Sequence, residues 1–254
     1  MSLEPSLASD YSRLLRHLPK PSPTQARAIL SAVASNDLPD LAFLFDLDGV
    51  LIDSMPMHTE AWRLYLSRLG IEQPYIAERM HGKRNSELVR ELIGPDLPAE
   101  VVFEHGAAKE RLFRELILAA DLNQYRVPGL DTFLARYEGL PMAVASNAEP
   151  ANIDFVLDQL HLRKYFPVTV DGSQVNRPKP FPDVYLKAAR QLDVGPSRCI
   201  VFEDSPTGVA AGLAAGMRVV GVETTPTTFA GVACQIRDFR DPALPAWLAA
   251  AAAH

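Results

Sequence analysis

Residues 43–54 read FLFDLDGVLIDS, in which two aspartates stand one residue apart at the end of a short apolar run. Four further runs share this plan: MAVAS (142–146), PVTVD (167–171), CIVFE (199–203) and RVVGV (218–222). Each is short, mostly bounded by turn formers, and separated from the next by helical periodicity. That alternation is the reading of an α/β fold, a parallel sheet flanked by helices.

Between the first run, LAFLF (41–45), and the second, roughly ninety residues intervene and hold only helical patterns, as in HTEAWRLYLSRLG, SELVRELIG and VFEHGAAKERLFRELILAA. An insertion of this size is expected to be a helical cap domain over residues 57–125, dividing a Rossmann-like core into 40–56 and 126–254. The Pro- and Gly-containing linkers near Ser54–Met57 and Arg126–Gly129 are the expected hinge. Residues 1–39 are expected to form an N-terminal helical extension: Leu7, Tyr11, Leu14, Leu15 and Leu18 recur at helical spacing, and Ser22, Pro23 and Gln25 would open a second helix after the PKPSP break. This extension is expected to cover a sheet edge or form a dimer contact. The alanine-rich end AWLAAAAAH is expected to fray.

The 254 residues are 48% hydrophobic and 22% charged, enough for a sizeable core. A net charge of -6 offers no basic stripe to a phosphate backbone, so a small molecule is the expected partner and nucleic acid is not. No apolar run reaches bilayer length, and the first residues carry charge where a secretory leader would be apolar, so the expected setting is the cytoplasm, without membrane contact. Cys199 and Cys234 lie in apolar stretches without ligand spacing and are expected to be buried thiols.

The strand ends carry the polar residues. Asp46 and Asp48 follow the first strand, Ser146 and Asn147 the second, Asp171 the third, and Glu203 and Asp204 the fourth. In an open parallel sheet these ends lie side by side around the ligand crevice. So many carboxylates cannot ionise together without a cation, and all-oxygen ligation suits Mg²⁺. Any one acid taken singly is better read as a loop residue or helix cap; the set together points to the cation. Lys179 is the conspicuous basic partner, stiffened by prolines at 178, 180 and 182; the alternative is a solvated lysine in a proline-rich turn.

Together DLDGV (46–50), Ser146 with Asn147, Lys179 in RPKPFPD and EDSPTG (203–208) resemble the haloacid dehalogenase-like superfamily, in the branch of β-phosphoglucomutase and related metabolite phosphatases. The resemblance implies Asp46 as nucleophile and metal ligand. It implies Asp48 as general acid and then base, with its backbone carbonyl on Mg²⁺. Asp204 is implied as a metal ligand supported by Glu203, and Lys179, Ser146 and the amides near Asn147 as holders of the phosphoryl oxygens. Gly49 would let the backbone pass close to the phosphate, or is an ordinary turn glycine. Because dehalogenation needs neither Asp48 nor Mg²⁺, the motifs point to phosphoryl transfer.

Ser54, His58, Arg84 and Lys109 further resemble the mutases, in which the histidine orients the acid and the cap arginine and lysine grip the sugar or its second phosphate. His58 is otherwise a structural histidine opening a helix, and Arg84 a solvated helix start. Where the mutases carry a phosphate-holding lysine, this chain aligns Glu149, which would repel a bisphosphate. The expected activity is therefore Mg²⁺-dependent hydrolysis of a small phosphorylated metabolite, a sugar phosphate, by a monomer or weak homodimer. A phosphosugar mutase is the alternative, and a non-catalytic phosphate or metal sensor a third reading.

Overall fold

Phe43 and Phe45 alternate with Ala42 and Leu44 along strand β1 (Ala42–Phe45), and all four are fully buried. In the computed structural model, which describes residues 41–80, 83–224 and 228–252, this strand lies at the centre of a six-stranded sheet. Its companions are β2 (Met142–Ala145), β3 (Val168–Val170), β4 (Cys199–Glu203), β5 (Arg218–Val222) and β6 (Cys234–Ile236), in the order β3-β2-β1-β4-β5-β6. Every pairing is parallel. The strand order therefore reverses between β1 and β4, which is where open sheets of this kind leave a crevice.

Two apolar layers follow from the alternation. Phe43, Phe45, Val144, Ile200 and Phe202 face one side with Phe133 and Phe239, while Leu44, Ala143, Val201 and Val219 face the other with Tyr185 and Ala188. Phe45 stacks on Phe202 with ring centroids 4.8 Å apart, and Phe133 meets Phe43 and Phe202 at 5.5 and 5.3 Å. Such aromatic pairs add about 0.5–1.5 kcal/mol each beyond area burial. They also lock register: Phe45 pairs with Phe202, so Asp46 and Glu203 leave the sheet side by side, continuing the face of Leu44 and Val201.

The long stretch after β1 is helical, with α1 (Met55–Arg68), α2 (Ile76–Met80), α3 (Asn85–Leu92) and α4 (Ala99–Ala119). Trp62, Leu66, Ile76, Met80, Leu88, Val89 and Val102 build an apolar cluster of their own between these helices. The insert is also keyed into the main core, because Ala61, Phe113 and Ile117 belong to the aromatic cluster beneath the sheet. Its two connections run beside each other. Asp53 N–H donates to the Tyr125 carbonyl at 2.7 Å and Val127 N–H to the Leu51 carbonyl at 3.2 Å.

The remaining helices are α5 (Leu130–Arg136), α6 (Pro150–Gln159), α7 (Asp183–Gln191), α8 (Pro206–Ala214) and α9 (Ala243–Ala252). Two expectations need correction. The alanine-rich end is helical over α9, held by buried Leu244 and Leu248. Cys234 is only half-buried because it opens the edge strand β6, whereas Cys199 is buried as expected. The helices expected within residues 1–39 lie outside the described residues. No described helix is long and apolar enough to cross a membrane.

Candidate active site

Asp46 ends β1, and its N–H still donates to the Phe202 carbonyl of β4 at 3.0 Å, so the sheet itself aims its side chain. Lys179 Nζ lies 2.9 Å from Asp46 Oδ1 and 2.6 Å from Glu203 Oε1. The ammonium is thus shared between two buried acids, and it rests over the Tyr185 ring at 4.8 Å. The loop carrying it is fixed by Asn147, whose Oδ1 accepts from Lys179 N–H at 3.1 Å. The lysine is neither solvated nor free. Burial disfavours its charge, but Asp46 and Glu203 outweigh that and hold its pKa above the ordinary value.

Glu203 is fully buried, and both its oxygens are used. Oε1 accepts from Lys179 and from the Tyr185 hydroxyl at 2.7 Å; Oε2 accepts from Asp204 N–H, Ser205 N–H and the Ser205 hydroxyl at 3.0, 3.2 and 3.1 Å. Asp204 follows at the mouth of the crevice. Asp46, Glu203 and Asp204 each offer a carboxylate oxygen within 4.8 Å of the others. Burial pushes Asp46 up to about 6, against the pull of Lys179, and burial with Glu203 and Asp46 nearby pushes Asp204 well above the usual carboxylate range. Asp46 Oδ1, although ion-paired to Lys179, receives no hydrogen bond. One lysine does not neutralise three acids, and a hard divalent cation on oxygen donors fits this deficit.

Gly49, with φ of +74°, closes the turn after β1, and a Cβ there would stand 1.8 Å from Asp204 Oδ2. The left-handed turn thereby lets the chain pass directly over the acidic group. Asp48 faces elsewhere. Its Oδ1 accepts from the Ser54 hydroxyl at 2.5 Å and lies 3.5 Å from His58 Nε2. Burial opposes the charge on Asp48, but the His58 and Ser54 hydrogen bonds prevail and its pKa is lowered. Ser54 precedes α1 and His58 lies one turn on, bonding its N–H to the Ser54 carbonyl at 2.9 Å, which explains their four-residue spacing.

These groups line one cavity of about 210 Å³ between sheet edge and insert. Asp46, Asp48, His58, Arg84, Lys109, Ser146, Asn147, Lys179 and Asp204 share its walls, with Trp62, Met80 and Leu88 on the insert side and Glu149 on the core side. Ser54, Gly49 and Glu203 stand behind them. Arg84 pairs with Glu87 at 2.8 Å while keeping half its side chain exposed. Lys109 is buried and directed at His58 Nδ1, 2.7 Å away, and at Glu110. Glu149 opens α6, and burial, reinforced by Glu110, raises its pKa.

One strand-end acid does not join the site. Asp171 is absorbed by its own loop, accepting from Ser173 N–H and hydroxyl and from the Gln174 amide. Conversely, Tyr185, Gly208, Glu110, Asn152 and Asn85 surround the site without having been singled out in the sequence. Tyr185 and Gly208 lie within FPDVY and EDSPTG, beside the motif residues they serve.

Asp46, Glu203 and Asp204 thus gather around Lys179 at the switch point of a parallel sheet, under a helical insert. The haloacid dehalogenase-like hydrolase family profile matches residues 41–216, and the chain belongs to that family. It is 33% identical over 183 residues to fructose-1-phosphate phosphatase YqaB of Escherichia coli, covering 70% of this chain and 94% of that protein. To the β-phosphoglucomutase of Bacillus subtilis it is 28% identical over 191 residues, covering 71% and 82%. A hydrolase of the same superfamily from Entamoeba histolytica superposes with a TM-score of 0.77 at 23% identity, over 84% of this chain and 100% of that one, which speaks for the fold. The protein is therefore an enzyme of the phosphohydrolase and phosphotransferase kind, which removes the non-catalytic reading.

Proposed function

We propose that this enzyme hydrolyses a small phosphomonoester, a sugar or polyol phosphate, through a phosphoryl group carried on Asp46. The observation that carries the proposal is the division of labour between two carboxylates two residues apart. Asp46 is buried against Lys179, whereas Asp48 has Ser54 and His58 to itself. In the first step Asp46 attacks phosphorus, the bond from phosphorus to the ester oxygen breaks, and the departing oxygen takes a proton from Asp48. In the second, water attacks the same phosphorus and gives its proton to Asp48, releasing phosphate and restoring the Asp46 carboxylate. The donors on Asp48 favour its ionised form, the one needed in the second step. An arriving phosphate dianion supplies the charge that raises its proton affinity for the first.

Asp46, Asp204 and the Asp48 backbone carbonyl would hold Mg²⁺, with Glu203 supporting them from behind. When bound, the ion supplies neutralisation of the charge on the phosphoryl oxygens. Lys179 contributes the same from the opposite side, while Ser146 and the amides near Asn147 receive the remaining oxygens. The cavity of about 210 Å³ suits a substrate with a short carbon chain. Glu149 on its wall favours a neutral body over one bearing a second phosphate. The YqaB likeness supports a sugar phosphate as the class.

The test is a panel of phosphorylated metabolites with and without Mg²⁺, scored for phosphate release. It includes β-glucose 1-phosphate with a trace of bisphosphate. Expected are release that depends on Mg²⁺, is lost with a chelator, and is abolished in Asp46→Asn. An active Asp46→Asn variant refutes the mechanism. Isomerisation outrunning release makes the enzyme a mutase.

A further inference from the structure

Glu110 takes no part in the chemistry above, yet the residue is only 4% exposed on the cavity wall. A carboxylate so placed loses hydration that only other donors can offset. Oε1 accepts from Lys109 Nζ at 2.9 Å and Asn85 Nδ2 at 2.6 Å, and Oε2 accepts from Asn152 Nδ2 at 2.7 Å. Asn85 and Lys109 belong to helices α3 and α4 of the insert, whereas Asn152 belongs to α6 of the core. Arg114 of α4 reinforces the joint by donating to Asn152 Oδ1 at 2.5 Å. A single carboxylate thus ties three helices where insert meets core.

The lysine it holds has a second neighbour. Lys109 Nζ is 2.7 Å from His58 Nδ1, and an ammonium has only protons to give, so Nδ1 accepts. Neutral His58 then carries its proton on Nε2, the atom facing Asp48 Oδ1 at 3.5 Å. The imidazole cannot swing away, being stacked on Phe113 with centroids 3.8 Å apart and planes 4° from parallel.

We propose that Glu110 is a positioning residue for leaving-group protonation: it anchors the Lys109 ammonium against His58, which presents Nε2–H to Asp48, and through Asn152 it makes this alignment part of the docking of α4 on α6. The inference rests on Asp48 being the acid of the proposed function. It adds a chain of four side chains running from the reacting oxygen to the joint between insert and core. Outer partners of this kind set the tautomer and orientation of the group that does the chemistry.

The test compares two leaving groups in single-turnover experiments on Glu110→Gln. Fructose 1-phosphate releases an alkoxide that needs a proton, whereas 4-nitrophenyl phosphate releases a phenolate that does not. Cleavage of the first should slow by at least about tenfold and of the second by less than about threefold, because only the first uses the acid. Equal slowing of both, or of neither, overturns the proposal, since a merely structural role does not distinguish leaving groups. Asp48→Asn serves as reference. Should it slow both substrates alike, the assignment of Asp48 as acid fails and the proposal with it; a split in Asp48→Asn without one in Glu110→Gln defeats Glu110 alone. Lys109→Met/Glu110→Gln removes both buried charges and so guards against a misfolded single variant. It should show the same split, and wild-type rates on both substrates would overturn the proposal.

Discussion

A Cβ on Gly208 would lie 1.7 Å from Glu203 Oε1. Gly208 is in the first turn of α8, and the carboxylate beneath it is held by five donors, so it cannot retreat. Gly208→Ala should therefore cost about 1–3 kcal/mol of stability, as overpacking of a closed site does, and should displace Lys179 with a loss of turnover. Urea unfolding and phosphate release measure the two effects. Wild-type values for both would mean that α8 can move away from Glu203.

Lys179 bridges Asp46 and Glu203, and its removal leaves the acids without a countercharge inside the protein. Lys179→Met should lower kcat by about 10²- to 10³-fold, the usual loss for one preorganised donor at a reacting oxyanion. A kcat within about threefold of wild type would show that the ammonium is not needed at the phosphoryl group.

Glu110 lends stability that depends on pH. Burial raises its pKa, but Lys109, His58 and Asn85 prevail and bring it from the ordinary 4.5 to about 2. A depressed carboxylate contributes fully above 4.5 and loses its contribution as pH falls towards 2. Burial lowers the pKa of Lys109 despite Glu110, so the net gain from the pair is less than Glu110 alone implies. The Tm difference between wild type and Glu110→Gln should be constant near neutrality and shrink between pH 4.5 and 2. A difference independent of pH over that range would contradict the charged pairing.

Glu149 places a carboxylate on the cavity wall. Glu149→Lys reverses its sign and should tighten binding of a bisphosphate inhibitor by about tenfold relative to a monophosphate, measured as the ratio of the two inhibition constants. An unchanged ratio would remove Glu149 from specificity.

Much of this architecture is legible in the sequence because four of the five apolar runs end in polar residues, and the sheet converts that repeated pattern into a shared edge. β6 escapes notice because Cys-Gln-Ile is three residues long with a polar centre, and only its pairing to β5 makes it a strand. Asp171 shows the limit of strand-end reasoning. Whether such an acid looks into the crevice depends on the loop beyond it, here on Ser173 and Gln174. Lys109 and Glu110 are a charged dipeptide like many on helix surfaces. Their burial is decided by Trp62, Phe113 and Asn152, which come from three separate stretches of chain.

The paired connections at Leu51–Asp53 and Tyr125–Val127 have an evolutionary consequence. Because the two ends of the insert already touch, a different lid could be joined there at little loop-closure cost and without disturbing the sheet. Ser54 and His58 lie on the lid side of that seam. An exchange there would carry away the partners of Asp48, so under the proposed mechanism specificity and proton transfer are inherited together.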